Sequence, residues 1–381
     1  MDRISVLIPD VDDRLLSLRV AYCLKTSGRV TVHGLSRCKS RRMRLSNLFQ
    51  SFSDIDDFNL SSWLTRIDEI VATQRVDLVL PVSSLGIRAL GEHSRALRCA
   101  ERLVQLPEPY AFDIATNKAS LADFLAAHRF PHPPTVVLIG GAPRPETLST
   151  LAFPVLVKPP VSHSGKGIRK FENPNQLEIF LADQGKEQDW LVQEFVQGTD
   201  FGVSVLCHNG RVIASTVQHA IVPSHIPYHS ATSLEFRHDL AAMDIVTKLV
   251  KALNWSGVAN IDMRLSRQAK APLVLELNGR YWLSLLGSLH AGVNFPLLAC
   301  ESALGLPKSN FRLNETRYFA GHRSAALSLL GGGRWRVRPS ETDLGYLVRD
   351  PIFFTSIAMT ELAKIFRDKV FAFKQVDEVR S

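Results

Sequence analysis

Residues 261–265 (IDMRL) and 273–277 (LVLEL) read as two successive buried β-strands, and each carries one carboxylate in its interior, Asp262 and Glu276. A buried carboxylate without a partner is costly, so any fold of this chain must bring donors, cations or a metal to both. The two acids lie fourteen residues apart, enough to cross a hairpin and return alongside. With side chains alternating along a strand, Glu276, Asn278 and Arg280 project to one face. Two carboxylates and a carboxamide on adjacent strands form a hard oxygen set suited to Mg²⁺. Arg280 beside them is placed to hold a phosphate that bridges metal ions. The plainer alternative is a buried ion pair of these acids with Arg264 or Arg280.

The first hundred residues alternate strand and helix signals. Short apolar runs at 4–8, 30–35 and 76–80 are separated by helical spacings: Leu15, Leu16, Leu18, Val20, Ala21 and Leu24, then Trp63, Leu64, Ile67, Ile70 and Val71. Such alternation predicts a parallel sheet with helices on both faces. No G-x-G-x-x-G follows the first run, so a Rossmann-like unit here would lack the dinucleotide fingerprint. After Pro131, Pro133 and Pro134, strand signals crowd together at 155–158, 190–196, 201–207, 212–218, 258–265 and 273–277. His208-Asn209-Gly210 between two of them is a hairpin signal. Helical runs at 177–182 and 240–253 interleave with these strands.

Three more features in this region carry chemistry. Residues 153–159 (FPVLVKP) are a buried strand that delivers Lys158 at its end, although a lysine in that place is usually a solvated cap. The loop 162–167 (SHSGKG) exposes backbone N–H groups that a phosphate could approach, with Lys166 adding charge, but it is not a Walker-type P-loop. Thr116-Asn117-Lys118 opens a helix that Thr116 could cap, and a lysine at a helix N-terminus is mildly disfavoured unless a ligand compensates it. Finally, Gln193-Glu194-Phe195-Val196-Gln197-Gly198-Thr199-Asp200 joins two strands, with backbone groups for a purine edge and an acid for ribose hydroxyls, or simply a turn with a solvated Asp200.

In this order (T-N-K, P-P-T, F-P-V-L-V-K-P, S-H-S-G-K-G, Q-E-F-V-Q-G-T-D, E-L-N-G-R) the chain resembles the ATP-grasp superfamily. It looks most like the branch of carbamoyl-phosphate synthase and biotin carboxylase, whose metal-binding strand also reads E-x-N-x-R. The resemblance covers roughly residues 110–305. It implies a fold of α/β and α+β class: an ATP-grasp domain at 111–310 in two subdomains that clamp ATP, preceded by a Rossmann-like pre-ATP-grasp domain at 1–110 and followed by an extension at 311–381.

What the resemblance implies can be placed on residues. Lys118 and Lys158 would touch the ATP phosphates, and the loop with Ser164, Gly165, Lys166 and Gly167 would close over them. Glu194 and Val196, with Phe195 between them, would hold adenine through the backbone, and Asp200 the ribose. Asp262, Glu276 and Asn278 would bind Mg²⁺, or Mn²⁺ in its place, while Arg280 and Lys158 would act on the transferred phosphoryl group. Arg264 and His229 are further phosphate candidates. Ser164 stands where a second glycine is usual, which implies a stiffer lid. Tyr281-Trp282-Leu283-Ser284 stands where small residues are common, which implies a reshaped substrate pocket. The expected reaction is ATP-dependent activation of a small carboxylate as an acyl phosphate for attack by an amine or similar nucleophile. A kinase-like phosphotransferase or a non-catalytic nucleotide-binding protein is the alternative.

Composition bounds the rest. Net charge is +8, from 45 Lys and Arg against 37 Asp and Glu, which suits anionic partners without choosing among them. The basic run 37–44 lacks neighbouring aromatic stackers, so nucleic acid is not expected. Five scattered cysteines without a C-x-x-C pair, no signal-peptide pattern and no apolar run long enough to span a bilayer point to a cytoplasmic protein. A basic amphipathic helix near 357–373 could touch an anionic membrane surface, though docking on its own domain is the commoner use of such a stripe. A homodimer is left open.

Overall fold

The computed structural model describes residues 3–37, 43–140, 148–162, 165–183, 188–222, 228, 231–329 and 337–355. The N-terminal part is a parallel four-stranded sheet, β1 (Ile4–Ile8), β2 (Val30–Ser36), β3 (Ser51–Asp54) and β4 (Leu78–Val79), in the order β3-β2-β1-β4. Helix α1 (Arg14–Thr26) covers one face with Val6 and Ile8; α2 (Leu60–Gln74) covers the other with Leu7 and Val79. Burial on both faces explains why these strands read as continuous apolar runs. The ladder of β4 is shorter than its apolar run, but the Asp77 and Leu80 N–H groups still donate to Ser5 and Leu7 carbonyls. Strand β3 carries no such pattern: three of its four residues are polar, as suits an edge.

Beyond the carboxyl ends of β1 and β4, the N-terminus of α3 (Ser84–His93) is filled by the chain's own Asp10. Its carboxylate accepts from the N–H groups of Val82 (3.0 Å) and Ser83 (2.7 Å) and from the Ser83 hydroxyl (2.5 Å). A Cβ on Gly86 would lie 2.1 Å from Asp10 Oδ2, so only glycine lets the acid sit there. That end of the sheet, a usual anion and ligand site in open α/β folds, is occupied from within.

Helices α4 (Pro109–Thr116) and α5 (Lys118–Ala127) follow. Asn117, not Thr116, caps α5, its side-chain oxygen accepting from the Ala119 and Ser120 N–H groups. Thr116 closes α4 instead and donates its hydroxyl to the Phe112 carbonyl. An antiparallel sheet comes next: β5 (Thr135–Leu138), β6 (Val155–Lys158), β7 (Arg169–Phe171) and β8 (Trp190–Glu194), in the order β5-β8-β6-β7 and backed by α6 (Pro174–Asp183).

The largest sheet is antiparallel and six-stranded, ordered β13-β12-β9-β10-β11-β14. Its strands are β9 (Gly198–His208), β10 (Arg211–Val222), β11 (Ser233–Phe236), β12 (Gly257–Ser266), β13 (Pro272–Asn278) and β14 (Thr316–Phe319). Asn209 and Gly210, both at positive φ, turn β9 into β10, the conformation an Asn-Gly hairpin needs. Phe201, Val203, Val217, Ile261 and Met263 bury one face against α7 (Leu240–Ala252) and Phe112 of α4. Pairing aligns Glu276, Asp262, Gly202, Gln218, Phe236 and Thr316 in one row across all six strands.

Helices α8 (Leu285–His290) and α9 (Phe295–Ala303) pack between this sheet and the N-terminal one. After α10 (His322–Leu329), the segment with α11 (Leu344–Arg349) returns to the N-terminal sheet, where Asp350 accepts from the Ser46 hydroxyl (2.5 Å) and Tyr346 meets Tyr22 edge-on at 5.3 Å. No helix among the described residues is long and apolar enough to cross a membrane. The basic helix expected near 357–373 lies outside the described residues, as do residues 38–42 of the basic run. Of that run's ends, Arg37 pairs with Asp12 at 2.8 Å and Arg44 with Asp54 at 2.7 Å.

Candidate functional site

The cross-strand hairpin read from the sequence is present: Asp262 of β12 stands directly opposite Glu276 of β13, and Asn260 opposite Asn278. Both Asp262 oxygens are held, Oδ1 by Asn260 Nδ2 (2.8 Å) and Oδ2 by Asn278 Nδ2 (3.0 Å). Burial, then the Glu276 charge, push the Asp262 carboxyl up to about 7. Neither acid forms an ion pair with Arg264 or Arg280. Glu276 meets the Lys118 ammonium at 3.1 Å instead. Lys118 is also tied to the glycine-rich loop, its Nζ donating to the Ser162 carbonyl (3.1 Å) and its N–H to that of Pro160 (2.9 Å).

Lys158 enters the same space from the four-stranded sheet. It is buried, and its Nζ donates to Gln193 Oε1 (2.6 Å), whose amide in turn donates to Thr135 Oγ1 (2.9 Å). Burial lowers its pKa to about 8; Glu276 and Asp200 oppose that shift, and the Lys118 and Arg264 charges add to it. The site therefore draws Lys158 from the four-stranded sheet, Asp262 and Glu276 from the six-stranded one, and Lys118 from helix α5, which packs on the latter.

At the far end of that gap, residues 194–200 connect the sheets. The N–H groups of Glu194 and Phe195 are taken by the Pro134 and Pro154 carbonyls, whereas the described residues give the Val196 N–H no partner. The Glu194 side chain accepts from the Ala152 N–H (2.7 Å), so its carboxylate is structural. Arg264 turns toward residues 195–200. Its Nε donates to the Val196 carbonyl (2.5 Å), its Nη1 pairs with Asp200, and its guanidinium lies over the Phe195 ring at 5.3 Å. Lys170 sits over the same ring at 4.6 Å.

Residues 186–320 match the family model "ATP-grasp in the biosynthetic pathway with Ter operon". The chain is 26% identical over 204 residues to the carbamoyl phosphate synthase large chain of Pyrococcus furiosus, covering 50% of this chain and 19% of that one. It is 23% identical over 183 residues to the D-alanine–D-alanine ligase of Verminephrobacter eiseniae, covering 44% and 55%. The chain thus spans only a fraction of these relatives' lengths. Among solved structures, the biotin carboxylase domain of the Hydrogenobacter thermophilus 2-oxoglutarate carboxylase superposes with a TM-score of 0.61 at 16% identity, over 82% of this chain and 73% of that one. The chain has the ATP-grasp fold.

Of the residues that the ATP-grasp motifs single out, Lys118, Lys158, Asp262, Glu276 and Asn278 converge on one gap. Gly165 and Gly167 adopt positive φ, and a Cβ on Gly165 would lie 2.9 Å from Tyr228, so the loop requires glycine there. Lys166 is exposed. Ser164 and His229 lie outside the described residues. Arg280 follows β13 with its Nη1 on the Tyr281 carbonyl (2.8 Å). Tyr281 and Trp282 overturn one expectation: both are buried, and Trp282 packs edge-on against Phe295 at 4.9 Å, so they fill the core between sheets rather than reshape a substrate pocket. The holding roles of Gln193 on Lys158 and of Asn260 on Asp262 escaped the sequence reading. Their trace was a polar side chain inside an otherwise apolar strand.

The donor set fits a hard divalent ion. Among the described residues no group of three His, Cys, Asp or Glu side chains could hold a metal. Two carboxylates and a carboxamide are what Mg²⁺ uses when nucleotide phosphates and water complete its shell.

Proposed function

We propose that the protein is an ATP-dependent ligase that activates a small carboxylate as an acyl phosphate and passes it to an amine or similar nucleophile, forming a carbon–nitrogen bond and releasing ADP and phosphate. The observation that carries this reading is the meeting of Lys118 and Lys158, from two different elements, with the cross-strand acids Asp262 and Glu276 in a single gap. Four ionisable groups kept that close, two of them buried, serve a highly charged ligand better than they serve stability.

A carboxylate resists attack because its leaving group would be oxide; phosphorylation replaces that with phosphate. Phosphoryl transfer asks the protein chiefly for positioning and charge neutralisation. Lys118 and Lys158 supply cationic donors to phosphate oxygens, and Arg280 supplies a forked donor beside them. Asp262, Glu276 and Asn278 would hold Mg²⁺, or Mn²⁺, whose charge would neutralise phosphate oxygens when bound. As nucleotide enters, Lys118 exchanges Glu276 for phosphate and so frees that carboxylate. The open Val196 N–H and the Glu194 carbonyl would take the adenine edge, beside Phe195, with Asp200 at the ribose. The loop with Gly165, Lys166 and Gly167 would shield the acyl phosphate from water. Support for a nucleotide and Mg²⁺ comes from the biotin carboxylase domain just compared, a dimer in complex with MgADP and bicarbonate. That dimer also supports a homodimer here.

Lys158→Ala and Glu276→Ala should each lower ATP turnover at least a thousandfold while the melting temperature shifts by only a few degrees, measured as phosphate release in a screen of carboxylic acids paired with amino acids and polyamines. Full turnover in either variant refutes the site. Phosphate release that needs both acid and amine marks a ligase; a phosphorylated product from one substrate alone marks a kinase.

A further inference from the structure

Behind Asp262, away from the nucleotide gap, the polar face of the six-stranded sheet continues inward as a chain of buried amides and hydroxyls. Asn260, Ser204, Gln218, Thr216 and Ser288 are all less than a tenth exposed, and among the described residues no charged side chain hydrogen-bonds to them apart from Asp262. Gln218 Nε2 donates to Ser204 Oγ (2.9 Å) and to Asn260 Oδ1 (3.0 Å). Ser204 Oγ also donates to Asn260 Oδ1 (3.0 Å). On its other side Gln218 Oε1 faces the Thr216 hydroxyl at 3.5 Å, and Thr216 meets Ser288 Oγ of α8 at 3.1 Å.

These bonds decide which way Asn260 points. A carboxamide has an accepting end and a donating end. With its oxygen claimed by two donors, Asn260 has only its amino group left to offer, and it offers it to Asp262 Oδ1 at 2.8 Å. We infer that Gln218 is a positioning residue for the metal-binding carboxylate: by fixing the orientation of Asn260 from behind, it holds Asp262 turned toward the nucleotide gap. Gly202 is part of the device. It lies between Asp262 and Gln218 in the cross-strand row, and a Cβ there would sit 2.8 Å from Gln218 Nε2. Packing needs no such arrangement: apolar residues would fill the interior without the desolvation cost of five polar groups. Groups that orient a ligand in this way typically change metal affinity by about 10- to 100-fold when removed.

This inference rests on the nucleotide-site reading above, so its test separates the two. Mn²⁺ binding in the presence of saturating ADP is followed by electron paramagnetic resonance for the wild-type chain, Gln218→Met and Gln218→Glu, with ADP affinity in EDTA and the melting temperature measured alongside. Methionine keeps the volume and removes the donors. Glutamate keeps the shape but only accepts, which would invite Asn260 to flip its oxygen toward Asp262. Both variants should bind Mn²⁺ at least tenfold more weakly, Gln218→Glu the more so, with metal-free ADP affinity within twofold of wild type. Unchanged Mn²⁺ affinity in both variants, with or without a fall in melting temperature, overturns the positioning role and leaves only a structural one. A wild-type chain that binds no Mn²⁺ with ADP overturns the nucleotide-site reading, and this inference with it.

Discussion

Lysines that close β-strands are ordinarily solvated, and sequence spacing alone favoured that for Lys158. Burial beneath the opposite sheet changes its chemistry, lowering its pKa from 10.5 to about 8. The folded chain gives up this proton near pH 8, whereas the unfolded chain keeps it to 10.5. Lys158 thus adds to stability as pH rises through that window. Nucleotide binding runs the other way, because phosphate oxygens favour the ammonium form. Above pH 8, ADP affinity should fall by up to about tenfold per pH unit, as calorimetry in buffers of different ionisation enthalpy can follow. Lys158→Arg should abolish that slope. Proton uptake on binding at pH 9 is the direct signature, and its absence would refute the link. Asp262 and Glu276 were legible from their place inside apolar runs. The partner of Glu276 was not, because Lys118 lies 158 residues away in the chain and only the fold brings it within 3.1 Å.

Elements were legible where apolar periodicity was strong and blurred where polar residues did the work. Strands β1 and β12 and helix α7 fall close to their expected bounds because long apolar faces define them. Strand β3 was invisible, since an edge strand buries little. The cap of α5 was misplaced by one residue: Thr116 and Asn117 are both good caps, and the choice is made by α4, which extends through Thr116 and takes its hydroxyl. That helix end presents Lys118 to the gap, so the cap bears on the site as well as on stability. Asn117→Ala should cost about 1 kcal/mol in denaturant unfolding and weaken ADP binding by a similar energy, with Asn117→Ser restoring most of both. Loss of stability with ADP affinity untouched would show that Lys118 needs no cap to be held in place.

Across the whole molecule, three sheets share their packing through elements distant in sequence. Arg29 reaches Glu301 at 2.5 Å, Tyr318 donates to the buried Asp343 at 2.6 Å, and Ser46 meets Asp350. Asp350 is 1% exposed, and the one other bond it receives among the described residues is a long one from the Asn47 N–H (3.3 Å). Ser46→Ala should therefore destabilise the protein by about 1–3 kcal/mol, read from the denaturant midpoint, with kcat unchanged because the pair lies outside the nucleotide gap. An unchanged midpoint would mean that this returning segment contributes nothing to folding. The +8 charge also resolves at this scale: Arg29, Arg37 and Arg44 are held in ion pairs, while Lys118 and Lys158 face the gap.

The order of the motifs, the class of each long element and the pairing of Asp262 with Glu276 were all present in the sequence, because local periodicity and a short hairpin carry them. Which groups neutralise those acids, which way Asn260 and Arg264 point, and whether Tyr281 and Trp282 line a pocket or a core were decided only by tertiary structure. The physical reason is the same in each case. Desolvation and hydrogen bonding depend on what lies opposite a side chain, and here what lies opposite comes from strands and helices tens to hundreds of residues away.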